Sequence, residues 1–261
     1  MNIGALSRRP ATAGARRGTA RTIVTAVLMT AACGIGQLVA TTTTARAATA
    51  GALSAYQERS HKPVDCDRVK CVALTFDDGP GKHTDALLGH LAAYRARATF
   101  FVVGQNVAAN PDIVRRAYEA GHEIGGHTWS HPNLTKLSAA EVRSQFDRAD
   151  QAIKAAIGVA PKLVRPPYGA FNETVRMQTE RPLVMWSVDT LDWRLRDSAK
   201  VTDKTLKSVR PGSVILFHDT HPTTVAAMPR VLKALSERGY RFVTVSQLYG
   251  GKPPRLVYGR D

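Results

Sequence analysis

Two adjacent aspartates, Asp77 and Asp78, follow a short apolar run at residues 72–76 and precede a Gly79-Pro80 turn. The run is rich in strand-forming side chains, and a Gly-Pro pair ends a strand. Neighbouring side chains of a regular strand point to opposite faces, but both carboxylates can enter one pocket where the strand breaks into a turn. Because like charges this close resist joint ionisation, the pair indicates either a nearby cation or two solvated turn residues.

Two histidines, His127 and His131, have the spacing of a metal-binding pair. No glutamate follows His127, which excludes the helical protease motif, and Pro132 biases His131 away from helical dihedrals. We therefore expect a loop to donate both imidazoles. Two histidines and one aspartate give three protein ligands and leave positions open for water, as in a catalytic zinc site. A metal there lowers the pKa of water and polarises a carbonyl group.

Proton transfer needs further groups, and the sequence supplies them. One aspartate of the pair binds metal and the other is left to accept a proton from water. His218 is suited by its intrinsic pKa to protonate a leaving group. Arg165 can hold the base in place, and a nearby aspartate can orient His218 and raise its pKa. This set serves metal-assisted hydrolysis of an amide or ester, and no Gly-x-Ser-x-Gly motif indicates a serine nucleophile.

Alternating apolar and amphipathic segments must position these residues, and the alternation predicts an α/β fold with a parallel sheet. Seven such units favour a distorted barrel related to the (β/α)₈ type, with an open doubly wound sheet as the alternative. No Gly-x-Gly-x-x-Gly follows a strand, so a dinucleotide-binding sheet is not indicated. The predicted strands are 71–76, 98–103, 122–126, 163–165, 183–188, 214–217 and 240–245. The predicted helices are 84–94, 111–120, 139–157, 172–178, 202–209 and 225–238.

The candidate residues fall at the carboxyl ends of these strands, which share one face of a parallel barrel and carry active sites there. We therefore expect side chains more than a hundred positions apart to meet in one pocket. In chain order the strand ends carry Asp77 and Asp78, His127 and His131, Arg165, Asp189 and Asp192, and finally His218 and Asp219.

The sequence resembles the polysaccharide deacetylases, the NodB homology domain of the carbohydrate esterases. Their five motifs occur in order between residues 75 and 219, which is nearly the whole domain. They are Thr75-Phe76-Asp77-Asp78-Gly79-Pro80, His127-Thr128-Trp129-Ser130-His131-Pro132, Arg165-Pro166-Pro167-Tyr168-Gly169, Asp189-Thr190-Leu191-Asp192-Trp193 and Ile215-Leu216-Phe217-His218-Asp219.

The resemblance implies a distorted (β/α)₇ barrel in a single domain and assigns a role to each site residue. It implies a divalent metal, first Zn²⁺, with Co²⁺ or Ni²⁺ as alternatives. By these family roles, Asp77 is the base, Asp78, His127 and His131 bind the metal, Arg165 steadies the base, the Tyr168 N–H helps to bind the oxyanion, Asp192 tunes the acid His218, and Trp193 and Leu216 shape the acetyl pocket.

Residues 1–47 are predicted to be a signal peptide. Five arginines precede an apolar stretch at about 22–40, and Ala45-Arg46-Ala47 has the small-x-small pattern of a cleavage site. The stretch is rich in small residues and contains glycines, so a transmembrane anchor is the weaker interpretation, and we expect no stable anchor after cleavage. General and twin-arginine export both stay open.

The remaining chain is predicted to comprise an arm at 48–70, the deacetylase domain at 71–250 and a tail at 251–261. The full chain has a net charge of +15, and removal of the six arginines of 1–47 leaves +9. This charge favours an anionic surface such as a cell wall, and no basic run with interleaved aromatics indicates nucleic acid. In an oxidising compartment, Cys66 and Cys71 are expected to form a small disulfide loop.

The leading hypothesis is a secreted bacterial hydrolase that removes N-acetyl groups from N-acetylglucosamine polymers such as peptidoglycan or chitin. Removal of O-acetyl groups from xylan is an alternative, because both carbonyls present similar geometry to one site. A non-catalytic carbohydrate-binding protein is a further alternative, which a missing base or ligand would have favoured. We expect a monomer associated with the cell wall. The polymer, the native metal and the position of attack along the chain stay open.

Overall fold

A parallel β-sheet with helices packed outside it forms the framework of the chain in a computed structural model, which describes residues 64–260. The strands are β1 (Cys71–Asp77), β2 (Ala98–Val102), β3 (Glu123–Gly126), β4 (Leu183–Val184), β5 (Val188–Asp189), β6 (Val214–His218), β7 (Arg241–Phe242) and β8 (Leu256–Val257). The helices are α1 (Thr84–Ala93), α2 (Gly104–Ala109), α3 (Pro111–Glu119), α4 (Ala139–Ile157), α5 (Glu173–Met177), α6 (Asp192–Leu195), α7 (Ser198–Ser208), α8 (Pro222–Glu237) and α9 (Val245–Leu248).

The main sheet has the strand order β3-β2-β1-β6-β5, and these pairings are all parallel. Isolated parallel bridges continue it from Gly126 to Val164 and from Val164 to Leu183, where β4 pairs with β8. The segment that carries β4 and β5 therefore supplies strands at both ends of the order, so the sheet curls as a distorted barrel. The predicted α/β fold with a parallel, barrel-like sheet is confirmed.

Strand β1 lies at the centre of the sheet, and all seven of its residues are buried. Successive side chains enter different cores, as the pleat of a strand requires. Val72, Leu74 and Phe76 pack in the large cluster beneath the outer helices. Thr75 and Asp77 point to the other side, where both contact the same buried guanidinium. This alternation places a carboxylate inside the barrel at the carboxyl end of β1.

Helix α4 begins and ends with the signals that its sequence contains. Ser138 Oγ accepts the Glu141 N–H, and the Glu141 carboxylate accepts the Ser138 N–H, which completes a capping box. Gly158 ends the helix in the left-handed conformation at φ 81°. Because Phe146 and Ile153 on one face are buried, the helix is fixed against the barrel and can support a loop beside it.

Several segments differ from the sequence prediction. The expected strand at 240–245 is reduced to β7 and is followed by helix α9, and neither α9 nor helix α6 was predicted. The expected strand at 163–165 is reduced to a bridge at Val164, and the expected strand at 183–188 is divided into β4 and β5. At the end of β4, the carbonyls of Val184 and Met185 accept hydrogen bonds from a buried arginine instead of a neighbouring strand. Helix α2 was not predicted. Strand β8 was not predicted either, although it lies in the segment 251–261 that was expected to form a tail beyond the domain.

The structure has a disulfide between Cys66 and Cys71, which joins the end of the arm to the first residue of β1. No helix within residues 64–260 is long and apolar enough to cross a bilayer. The predicted signal peptide and the first part of the arm, up to residue 63, lie outside the described residues.

Candidate active site

The paired aspartates occupy the point where β1 ends. Asp77 is the last residue of the strand and is 3% exposed. Asp78 turns to φ 73°, a left-handed conformation that aspartate tolerates better than most residues with a side chain. Its carbonyl oxygen accepts a hydrogen bond of 2.8 Å from Asn106 Nδ2 of α2. The break in the strand lets both carboxylates approach the same histidine, His127.

His127 follows β3 directly and is buried. Its Nδ1 lies 2.7 Å from the carbonyl oxygen of Arg165. A carbonyl can only accept, so this contact assigns the proton to Nδ1 and leaves a lone pair on Nε2. Burial lowers the pKa of His127 to about 3, although the charge of Asp78 opposes the shift. The imidazole is therefore neutral, which is the form that binds a metal.

His131 completes a three-residue cluster with Asp78 and His127. Asp78 Oδ1 lies 3.3 Å from His131 Nε2 and 3.5 Å from His127 Nε2. One potential ligand atom from each residue lies within 4.8 Å of the other two. The structure thus brings together the three residues that the sequence assigned to a metal.

The chemistry of these donors fits a divalent cation. Asp78 Oδ1 is buried and has no hydrogen-bond partner among the described residues. It faces His127 Nε2, which carries a lone pair and cannot donate a proton to it. Two electron-rich atoms that face each other in a buried site are unfavourable unless a cation lies between them. Three N and O ligands with the remaining side open to solvent match a catalytic site better than a structural one.

Asp77 is held by a fully buried arginine. Arg165 Nη1 donates to Asp77 Oδ1 at 2.7 Å and to Thr75 Oγ1 at 2.8 Å. The other guanidinium nitrogens donate to the carbonyls of Val184 and Met185. Burial raises the pKa of the Asp77 carboxyl above its ordinary value, and the charge of Arg165 limits the rise. A carboxylate fixed in this way is suited to accept a proton from water.

His218 lies at the end of β6 and is oriented by Asp192 at the start of α6. Its Nδ1 is 2.8 Å from Asp192 Oδ1, and its backbone N–H donates to Oδ2. Burial lowers the pKa of His218, but the hydrogen bond and charge of Asp192 outweigh it and, with the charges of Asp77 and Asp78, raise the pKa to about 9. His218 is consequently a proton donor at neutral pH, with Nε2 directed away from Asp192.

The predicted substrate-binding residues each lie next to a residue of the site. Tyr168 adopts φ 60° in a short 3₁₀ turn, is 67% exposed and sets its ring against that of His131. Trp193 is 48% exposed, and its backbone N–H donates to Asp192 Oδ1. Leu216 is buried in β6 on the same face as His218, two residues earlier. Asp189, the other acid after the fifth predicted strand, accepts the Leu191 N–H and does not contact His218.

Three neighbours of the site were assigned no catalytic or binding role from the sequence. Asp219 is buried and accepts a 2.5 Å hydrogen bond from Thr84 Oγ1. Its carboxylate packs against the turn at Gly79, where a Cβ atom would lie 2.5 Å from it. Arg196 donates to His221 Nδ1 at 2.8 Å, and the His221 ring lies 5.7 Å from the His218 ring. The sequence does not indicate that Arg196 lies near His218. Its position depends on a left-handed backbone conformation at Arg196, which appears only in the structure.

Comparisons with known proteins give three relationships. A sequence model described as polysaccharide deacetylase matches residues 65–182. The chain is 44% identical over 184 residues to the peptidoglycan-N-acetylglucosamine deacetylase PgdA of Listeria monocytogenes, which covers 70% of this chain and 40% of that protein. It is 34% identical over 204 residues to a chitooligosaccharide deacetylase of a Bradyrhizobium species, which covers 71% of this chain and 93% of that protein.

A solved structure of a family 4 acetyl xylan esterase from Clostridium thermocellum, in complex with a cobalt ion, has the same fold. It matches with a TM-score of 0.69 and 33% identity, and the match covers 73% of this chain and 98% of that one. The chain spans only about 40% of the length of the Listeria relative.

Proposed function

The chain belongs to the polysaccharide deacetylase family, and from this premise we propose that it removes acetyl groups from polymers of N-acetylglucosamine. One observation carries the proposal: a single pocket contains a fixed carboxylate base, a protonated histidine and an Asp-His-His cluster that fits a cation. A non-catalytic carbohydrate-binding protein has no need of this combination. The products are a free amine on the sugar and acetate.

The contacts indicate which groups accept and donate protons in the reaction. Asp77 Oδ2 is the oxygen not bonded to Arg165, so it accepts a proton as a water oxygen attacks the acetyl carbonyl carbon. The Tyr168 N–H is proposed to bind the oxyanion that develops on the carbonyl oxygen. His218 donates its Nε2 proton to the amide nitrogen, after which the carbon–nitrogen bond breaks. Asp192 stays ionised beside the imidazole throughout.

Asp78, His127 and His131 are proposed to hold the divalent metal on which the family depends. When bound, it supplies Lewis acidity, which polarises a carbonyl group and lowers the pKa of water. Mixed imidazole and carboxylate ligands suit Zn²⁺, with Co²⁺ or Ni²⁺ as alternatives.

Peptidoglycan is the polymer that the charge distribution favours. The exposed guanidinium of Arg196 stands beside the His218–His221 pair, at the rim of the site. A polymer with carboxylates gains from such a cation, whereas neutral chitin does not. Export across the membrane and attachment of a monomer to the cell wall belong to the same proposal, because the basic chain then meets an anionic surface. Similarity to the acetyl xylan esterase supports O-acetyl xylan as a second candidate substrate.

The test compares Asp77→Asn, His127→Ala and His218→Gln in purified protein. We expect Asp77→Asn and His218→Gln to lower kcat by about 10²–10⁴-fold while divalent metal stays bound, whereas His127→Ala loses the metal as well. Metal content is measured by atomic emission, and acetate release is followed on peptidoglycan, chitin oligomers and acetylated xylan. Asp77→Asn leaves the buried Arg165 without its counter-charge, which can destabilise the fold. His218→Gln therefore tests the proposed proton transfer at a less buried position. Undiminished acetate release by either base or acid variant would contradict the mechanism.

A further inference from the structure

The loop that carries both histidines has an unfavourable backbone. Thr128 and His131 have positive φ values of 66° and 60°. A residue with a Cβ atom rarely adopts this conformation, because the Cβ crowds the following carbonyl oxygen. The loop therefore keeps its shape only if contacts from the surrounding structure hold it there. One of these contacts lies within the loop, where Thr128 Oγ1 accepts the His131 N–H at 3.1 Å. Two further contacts come from α2, where the N–H groups of Gly104 and Gln105 donate to the carbonyls of Thr128 and Trp129 at 2.9 Å and 3.0 Å.

Three more contacts come from one side chain of helix α4. Gln145 Oε1 accepts the N–H groups of Trp129 at 2.9 Å and of Ser130 at 3.0 Å. Gln145 Nε2 donates to Ser130 Oγ at 3.0 Å. A single amide thus forms three hydrogen bonds to the two residues that directly precede His131.

Helix α4 is held close to this loop by further packing. The Arg148 guanidinium stacks over the Trp129 ring at 4.3 Å. Gly104 of α2 leaves room for the indole, because a Cβ there would lie 2.7 Å from Trp129 Cε3 and 2.9 Å from the Ala149 backbone. The packing of helix α4 therefore holds the Gln145 side chain in a fixed position beside the loop.

We propose that Gln145 is a positioning residue for the metal site. By fixing Trp129 and Ser130, it keeps the loop in the conformation that directs His131 Nε2 toward Asp78 and the neighbouring His127. This inference rests on the metal site of the proposed function. Groups that orient metal ligands from outside typically change metal affinity by about 10–100-fold when they are removed.

The experiment uses three substitutions of Gln145 and a control on the same helix. Gln145→Met keeps the length of the side chain but removes the hydrogen-bond acceptor, and Gln145→Ala removes the length and the acceptor. Gln145→Glu keeps an acceptor for the N–H groups of Trp129 and Ser130. Arg143→Ala is the control, because Arg143 donates to Gln178 and not to the loop. Affinity for Zn²⁺ and Co²⁺ is measured by competition with a chromogenic chelator, together with the visible absorption spectrum of the Co²⁺ form and the Tm of the metal-free protein.

We expect Gln145→Met and Gln145→Ala to bind Zn²⁺ about 10–100-fold more weakly and to change the Co²⁺ spectrum. Gln145→Glu should bind within about threefold of the parent protein, and Arg143→Ala should match it. The Tm of the metal-free variants should change by only a few degrees, because Ser130 is exposed and water can reach the released N–H groups.

Each contrary outcome has a definite meaning. Parent-like affinity in Gln145→Met would overturn the inference and leave the proposed function standing. Loss of affinity in Gln145→Glu equal to that in Gln145→Met would also overturn it, since hydrogen-bond acceptance would then not be the cause. A collapse of Tm in metal-free Gln145→Met would assign Gln145 a general structural role instead. Failure of the parent protein to bind any divalent cation would overturn the inference and the proposed function together.

Discussion

At the scale of single residues, the site depends on two buried charged pairs with different tasks. Asp77 and Arg165 form a pair in which every guanidinium nitrogen donates at least one hydrogen bond, so the carboxylate is fixed in position. His218 and Asp192 form a pair that keeps a proton on the imidazole. The first pair controls geometry and the second controls the protonation state, so their removal should have different effects.

Asp192→Asn should move the alkaline limit of activity to lower pH. The pKa of His218 is raised to about 9 chiefly because the hydrogen bond and charge of Asp192 overcome burial. Since the acid is active only while protonated, loss of that charge should shift the alkaline limb of kcat/KM down by about 1–2 pH units. Thr224→Val is the control, because it removes one hydrogen bond to Asp192 but keeps the charge. An unchanged alkaline limb in Asp192→Asn would assign that limb to another group.

His122 should make the protein less stable in mild acid. Burial, assisted by the charge of Arg97, lowers its pKa from an ordinary 6.5 to about 4 in the folded state. Between these values the unfolded chain binds the proton and the folded chain does not, so the free energy of unfolding falls as pH drops from 6.5 towards 4. The free energy of unfolding should fall by on the order of 3 kcal/mol over this pH range.

Urea unfolding at several pH values tests this, with His122→Asn as the non-titrating variant. Asn offers an acceptor to the Ala98 N–H that His122 Nδ1 accepts in the parent protein. The variant should show a shallower loss of stability between pH 6.5 and 4. An identical slope would place the sensitivity elsewhere.

Chemical type predicted some site residues and not others. A carboxylate pair, a histidine pair and an arginine each have a structural interpretation alone, but their common placement at strand ends indicated one site. The structure brings Asp77, Asp78, His127 and Arg165 together. Gln145 gave no such signal. The backbone N–H groups that it binds lie fifteen and sixteen residues away, and a glutamine on a long helix is usually a solvated surface residue.

At the scale of elements, the segment 183–189 shows how the site alters the fold. The sequence predicted one strand at 183–188, but the structure contains two short pieces, β4 and β5. The interruption coincides with two carbonyls that accept hydrogen bonds from Arg165. Local strand propensity could not predict this, because the competing donor lies about twenty residues earlier in the chain.

Helix α2 also supports the site, and Gly104→Ala should show it. A Cβ at Gly104 would collide with Trp129 and with the backbone of α4, which should cost about 1–3 kcal/mol and weaken metal binding. The matched control is Gly89→Ala in α1, where a Cβ meets nothing within 4 Å. That substitution should stabilise the protein by about 0.5–1 kcal/mol. Denaturant unfolding compares the two, and equal effects would refute the packing account.

At the scale of the whole molecule, the barrel includes a segment that the sequence placed outside it. The alternation of strands and helices predicted the parallel sheet, since each apolar run has a strand length and each connection a helical pattern. Strand β8 has only two residues, which is too short to be distinguished from a loop by periodicity. It nevertheless pairs with β4, and Val257 is fully buried.

Removal of residues 253–261 should therefore destabilise the barrel. It exposes the edge of β4 and removes the Val257 side chain from the buried cluster that includes Val184 and Val214. The free energy of unfolding should fall by about 3 kcal/mol. Tyr258→Ala is the matched control, because that ring is 50% exposed and should contribute little. Thermal unfolding distinguishes the two. A truncated protein as stable as the parent would show that β8 makes no energetic contribution.

Arg165 has a consequence beyond its contact with the base. Its side chain forms hydrogen bonds to two residues of β1 and to the carbonyls of Val184 and Met185 at the end of β4, while its own carbonyl accepts a hydrogen bond from His127 Nδ1–H. These segments cannot separate one at a time without leaving a cation buried and unpaired. Amide hydrogens around the pocket should thus exchange with deuterium only through global opening, and heating should abolish turnover and melt the protein in the same step.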